Sequence, residues 1–322
     1  MPEHKSKKPK RISARRVVIT SFVVDLGDIV LNVVTAMLTG SVVVLTEALQ
    51  GAADLLTSGL LWVGVQRSKR QATRRHRFGY GKELFFWILM AGVSMFIITA
   101  GFSFYFGLQR VLHPHPVTNI GLAYVVLAIG FCTNVYALSL SLRRLGVSLR
   151  HRLSAIRRHV RRSALIETKA TTILDLMGAS AALLGLISLI IYGITGESRF
   201  DGVGAMVVGL SCGVFALMLI FEVKNFIVGR SASPEIELQI RQVANSVSGV
   251  HGVLDLRTMQ MGSERVMVNM EVHLDHRLRT QEIEQLMDDL KEAVKKDVPE
   301  VQHIQVEVET PRRKKLARPE HD

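Results

Sequence analysis

The sequence predicts an α-helical membrane protein, with six transmembrane helices followed by a C-terminal α+β domain. Three observations carry that expectation. Six apolar runs approach the length of about 20 residues that crosses a bilayer. Basic residues crowd alternate connections, and after Gly229 the hydrophobic period changes to short helices and strands. The 322 residues are 48% hydrophobic with positive mean hydropathy, yet the net charge is +12. Such a chain reconciles both if its apolar residues span lipid and its cations sit in loops and tails.

The apolar runs are residues 17–38, 42–65, 84–108, 120–142, 164–192 and 202–228, so residues 17–230 form the expected membrane domain behind a basic tail at 1–16. An even number of spans leaves both termini on one side. Seven Lys and Arg residues precede the first span, seven lie between Arg67 and Lys82, and eight between Arg143 and Arg162, whereas the opposite connections carry only Arg110 and Arg199. The positive-inside rule therefore predicts cytoplasmic termini, with the cell membrane as the expected location. A basic start before an apolar run also suits a secretory signal. Here Asp25, Asp28 and Asn32 interrupt the run and no small-residue cleavage site follows, so it is read as a retained helix.

The basic clusters are read as topology signals and contacts to anionic membrane lipid. No aromatic residues interleave with them as a stacking platform needs, so no nucleic acid is expected. Cys132 and Cys212 both fall inside predicted spans and read as small core residues rather than a disulfide or metal pair.

Two carboxylates stand inside hydrocarbon, Asp54 in the second run and Asp175 in the fifth. A membrane-embedded Asp costs about 2.5–3.5 kcal/mol on insertion scales, so such residues usually face a bundle interior and mark an ion path. Asp54 precedes the basic flank at Arg67 by 13 residues, and Asp175 follows that at Arg162 by 13. At about 1.5 Å per residue, both lie roughly 20 Å from the same basic surface, where one ion can be shared.

The tail, residues 234–311, begins with a helical repeat of Ile236, Ile240, Val243 and Val247. A strand at 253–261 follows. Val266, Val268, Met270, Val272 and Leu274 then alternate with polar neighbours as a second strand. Thr280 is placed to cap a helix whose stripe is Ile283, Leu286, Met287, Leu290 and Val294. Ile304, Val306 and Val308 make a last strand, and a basic tail occupies 312–322. This order suits helices on one face of a small sheet. So small a core is marginal alone, and a homodimer is expected.

Local text adds a resemblance. Leu38-Thr39-Gly40-Ser41, the octapeptide His76-Arg77-Phe78-Gly79-Tyr80-Gly81-Lys82-Glu83 and Asp201-Gly202 resemble the first turn, the second connection and the acidic start of the last span in the cation diffusion facilitator family, divalent-metal exporters of the zinc-transporter class. The likeness covers nearly the whole chain and implies a ferredoxin-like tail. It also implies a transport site that pairs a His or Asp with an Asp four residues later on the second and fifth spans.

At those positions this chain has Gln50 with Asp54, and Thr171 with Asp175. Spacing of four puts each pair on one helix face. Both Asp are kept and both partners are neutral oxygen donors. The implied cargo therefore shifts from zinc toward harder ions such as manganese, magnesium or iron(II). Where family members bind zinc in the tail through His, the aligned positions hold Leu254, Asn269 and Glu307. That site is expected to be absent, or rebuilt around Glu307 and Glu309.

Other polar residues have two readings each. Glu47, one turn outward of Gln50, is an additional ligand or an interfacial carboxylate in water. Asp28, with Asp25 and Asn32 on one face of the first span, lines the ion path or anchors the helix. Thr168 and Thr172 are read as bonding their own helix backbone. His113, His115, His273 and His276 are read as surface residues, and Asp201 is placed at the outer mouth.

The expected function is efflux of a divalent cation by a secondary carrier. No prosthetic group is expected, the ion being cargo, and no nucleotide motif indicates a pump. The resemblance implies protons as the counter-ion, and two carboxylates close together in low dielectric cannot both stay ionised cheaply, so one should bind a proton when the metal leaves. The alternative is a non-transporting regulatory or partner subunit of the same fold. No nucleophile and base pair or phosphate loop supports an enzyme.

Overall fold

The computed structural model describes residues 14–144 and 166–310, with side chains from 26 to 143 and from 170 to 310. The expectations for the two terminal basic tails, the Arg-rich stretch 145–165 and the side chains of Asp25 and Thr168 lie outside the described residues.

Among the described residues six long helices come first: α1 (Ala14–Thr39), α2 (Val42–Ser68), α3 (Glu83–Leu112), α4 (Ile120–Arg144), α5 (Ile166–Thr195) and α6 (Arg199–Val228). Of these, α2 to α6 are long and apolar enough to cross a membrane. The described apolar part of α1 is the shorter Leu26–Thr39. The expected continuous third helix contains a π-helical turn at Phe96–Gly101, a one-turn widening that α-helices tolerate.

By compactness the chain divides into two units. One is Met1–Gly59, Ala91–Ser139 and Ile173–Leu217; the other is Leu60–Met90, Leu140–Thr172 and Met218–Asp322. In the first unit, lipid gives apolar side chains no reason to leave it, so helices associate through close packing of small residues. Gly107 on α3 and Gly202 on α6 show this. A Cβ added to either would fall 2.7 Å from the other's carbonyl oxygen. Ala53, Met95, Met177, Ala181, Val208, Cys212 and Ala216 form one buried cluster, and Val43, Val44, Leu127 and Leu189 belong to another. Both cysteines are free, Cys132 exposed and Cys212 buried.

The second unit holds the tail: α7 (Pro234–Ser246), β1 (Val250–Gly262), β2 (Arg265–Leu274), α8 (Thr280–Asp297) and β3 (Val301–Val308). Ser233 starts α7, its Oγ accepting the Ile236 N–H, with Pro234 in the first turn. The sheet order is β1-β2-β3, with β1 antiparallel and β3 parallel to β2. A parallel pair needs a crossover, and α8 supplies it. As the alternation predicts, Val266, Val268, Met270, Val272 and Leu274 are all buried, facing Ile240, Leu290 and Val294 in one core. Each such residue contributes about 1.5–3 kcal/mol by leaving water.

One cap differs from expectation. Thr280 is the first residue of α8, and the preceding Arg279 N–H donates instead to the Glu282 carboxylate at 2.6 Å. A carboxylate in the first turn also complements the helix dipole.

Candidate functional site

The first unit assembles a polar cluster inside its helices. Glu47 and Gln50 sit one turn apart on α2, 6% and 2% exposed. The Asn134 amide on α4 donates to Glu47 Oε1 at 3.3 Å. Gly178 on α5 leaves the space in which Asn134 and Gln50 meet. A Cβ there would lie 2.6 Å from Asn134 Oδ1 and 2.9 Å from Gln50 Nε2. Gln50 Oε1 accepts a weak hydrogen bond from Cys212 Sγ at 3.8 Å, while its Nε2 is buried without a hydrogen-bond partner. Between the two readings of Glu47, its burial favours a carboxylate inside the helix packing over one standing in water.

Asp54 and Asp175 are both half-buried in this unit, on α2 and α5, and both interact with neighbours. Gly178 follows Asp175 by three residues and so shares its face of α5. Half-buried Asp28 on α1 approaches α2 beside Gly51, whose added Cβ would be 3.9 Å from Asp28 Oδ2. Asn32 is 1% exposed, and its amide donates back to the Asp28 carbonyl at 3.0 Å. Thr171 belongs to the second unit, half-buried one turn before Asp175 on α5. Among the described residues, no three His, Cys, Asp or Glu side chains gather as a metal-binding group. The clustered donors are one carboxylate and two amides.

Asp201, expected at the outer mouth, is fully buried on the first turn of α6. It accepts the Ser41 hydroxyl at 2.6 Å and the Val42 and Val43 N–H groups at 2.7 and 3.3 Å. It thus caps the start of α2 from another helix. Arg110 lies 3.3 Å from the same carboxylate and donates to the His115 carbonyl at 3.0 Å.

Asn134 was not among the residues singled out from the sequence. Its signal is a lone amide within the apolar run 120–142, and a polar side chain at that depth needs a partner. In the tail, exposed Glu307 accepts from the Gln305 amide at 3.2 Å. His273 Nδ1 lies 3.3 Å from the Glu309 carbonyl, and exposed His276 is 3.5 Å from Asp275.

A family model described as the cation efflux transmembrane domain matches residues 18–224, and one described as the cation efflux protein cytoplasmic domain matches 232–311. A proton-coupled zinc antiporter of Xenopus laevis, SLC30A9, mitochondrial, is 27% identical over 269 residues, 82% of this chain and 47% of the relative. This chain thus spans about half the length of that relative. The cation-efflux pump FieF of Escherichia coli is 26% identical over 262 residues, 81% of each chain. The magnetosome protein MamB of Magnetospira is 21% identical over 288 residues, 89% of this chain and 92% of the relative. A solved MamM C-terminal domain is 21% identical with a TM-score of 0.23, covering 24% of this chain and 96% of that one.

Proposed function

This chain belongs to the cation efflux family, and from that premise we propose that it is a proton-coupled carrier exporting a divalent cation from the cytoplasm. The observation that carries this reading is the buried Glu47 carboxylate, which sits on α2, the helix that also bears Asp54, and is held by Asn134 from α4. Acids kept inside membrane helices at a cost of kilocalories mark an ion path. Asp54 and Asp175 form the anionic core of the transport site, with Glu47 and Gln50 lining it. Asp28 lies on the adjoining path, and Thr171 is one turn from Asp175. The cargo is manganese, iron(II), magnesium or zinc, an oxygen-rich donor set favouring the harder ions.

In this reading α1 is a sixth span, residues 17–230 are the transport domain, and residues 234–311 form a ferredoxin-like domain that pairs two copies. Support for pairing comes from the match to the family's cytoplasmic domain. Arg and Lys in the α2–α3 connection support cytoplasmic termini of a cell-membrane protein. Terminal tags should resist protease added outside intact cells.

Proteoliposomes containing only this chain test the proposal. Metal uptake should depend on a pH gradient, and Asp54→Asn or Asp175→Asn should abolish it while the protein stays folded. Flux that survives both changes removes these residues from the site, and flux indifferent to the pH gradient rejects antiport. A second reading, a partner subunit that does not transport alone, is favoured by the lack of a three-ligand cluster among the described residues. No flux from the wild-type chain for any of the four metals would support it.

A further inference from the structure

A cavity of about 220 Å³ lies in the second unit, where the α2–α3 connection meets the cytoplasmic sheet. Lys69, Arg70 and Phe78 line it from the connection, and Arg265, Gln302 and His303 from the start of β2 and from β3. Among the described residues, no Asp or Glu is in its wall. Among the described residues none of the three cations is in an ion pair. Three unneutralised cations around one cavity repel each other, and an anion between them removes that cost.

The cavity wall is built in advance. Thr73 and His76 exchange backbone hydrogen bonds at 3.1 Å, and the Tyr80 hydroxyl lies 3.1 Å from both Thr73 Oγ1 and His76 Nδ1. Phe78 meets His303 edge-on with ring centroids 5.3 Å apart. Gly81 lies so close to the Met261 carbonyl that no side chain fits between them. The connection is therefore held against β1 and β3, and it brings Lys69 and Arg70 to the same cavity as Arg265 and Gln302.

We infer that this cavity binds a phosphate-bearing anion. The donors fit one: guanidinium groups recognise phosphate oxygens through paired N–H groups, and Lys and an amide add single donors. Lys69 and Arg70 directly follow Ser68, the last residue of the membrane helix α2, which sets them at the height of lipid headgroups. The phosphate can thus come from a headgroup or from solution.

Two arms distinguish these sources, both on the full chain. In phosphatidylcholine nanodiscs, inorganic phosphate is titrated by calorimetry. In nanodiscs that also contain phosphatidylglycerol, retained lipid is counted by native mass spectrometry. Saturable phosphate binding identifies a soluble ligand, and selective phosphatidylglycerol retention identifies a headgroup. In the responding arm, Lys69→Gln with Arg265→Gln should weaken binding about tenfold or more. Arg70→Gln, a change at an exposed residue, should weaken it in the same direction. Arg199→Gln, on an opposite connection, should leave it unchanged. No binding above phosphatidylcholine background in either arm overturns the proposal, as does binding that ignores the cavity changes or falls equally with Arg199→Gln.

Discussion

Arg110 Nε lies 3.3 Å from Asp201 Oδ2 in a buried ion pair, 8% and 0% exposed, and the same carboxylate receives the first N–H groups of α2. Removing one partner of such a pair leaves an uncompensated buried charge and costs about 3–5 kcal/mol. Asp201→Ala additionally uncaps α2. It should lower the melting temperature of the detergent-solubilised protein strongly, in differential scanning fluorimetry. Glu197→Ala breaks only the exposed pair with Arg199, whose side chains are 54% and 59% exposed, and should leave the melting temperature unchanged. Equal shifts for both would mean that the buried pair adds no more than a surface one.

That pair also shows where sequence reading stops. The alternation along β2 encodes burial in five residues, and the sheet bears it out. The apolar runs likewise encode α2 to α6, because lipid imposes a length that can be counted. Nothing local couples Asp201 to Ser41, 160 positions away. Read alone, an acid at the start of a span looks like a solvent-facing mouth. Asn134 and Glu47 were separated by the same blindness, each legible as polar in an apolar run but not as partners 87 residues apart.

Gly178 should tolerate no side chain. The position of its missing Cβ is within 3 Å of both Asn134 Oδ1 and Gln50 Nε2, and overpacking of this kind typically costs about 1–3 kcal/mol. Because the atoms displaced are those of the polar cluster, Gly178→Val should reduce metal uptake more than it reduces the yield of folded protein. Gly27, with nothing within 4 Å of its Cβ position, supplies the control. Gly27→Ala should transport as wild type.

Acid sensitivity of the tail should include a contribution from Asp275. The Arg277 N–H donates to its carboxylate at 3.0 Å and holds its pKa below the usual 3.8. The folded value is the lower one, so the stabilisation is complete above pH 3.8 and is lost as pH falls through the folded pKa. Carboxyl carbon NMR of a 234–311 fragment should show Asp275 titrating below 3.8. A midpoint at or above that value would mean the hydrogen bond is not kept in solution.

Gln50 decides the choice of metal if the transport site is as proposed. Its amide places a neutral oxygen four residues before Asp54, and that Oε1 accepts only a weak hydrogen bond from Cys212 Sγ at 3.8 Å, so it keeps lone-pair capacity for a cation. An imidazole at this position offers nitrogen, which zinc accepts readily beside a carboxylate and which manganese favours less. Gln50→His should therefore raise zinc uptake relative to manganese by about tenfold in a competition assay, within the range by which a single change near a metal alters its affinity. Gln50→Ala removes the oxygen without adding nitrogen and should lower uptake of both ions without that bias. An unchanged zinc-to-manganese ratio in Gln50→His would place this side chain off the ion path and leave Glu47 and Asn134 as the α2–α4 contribution.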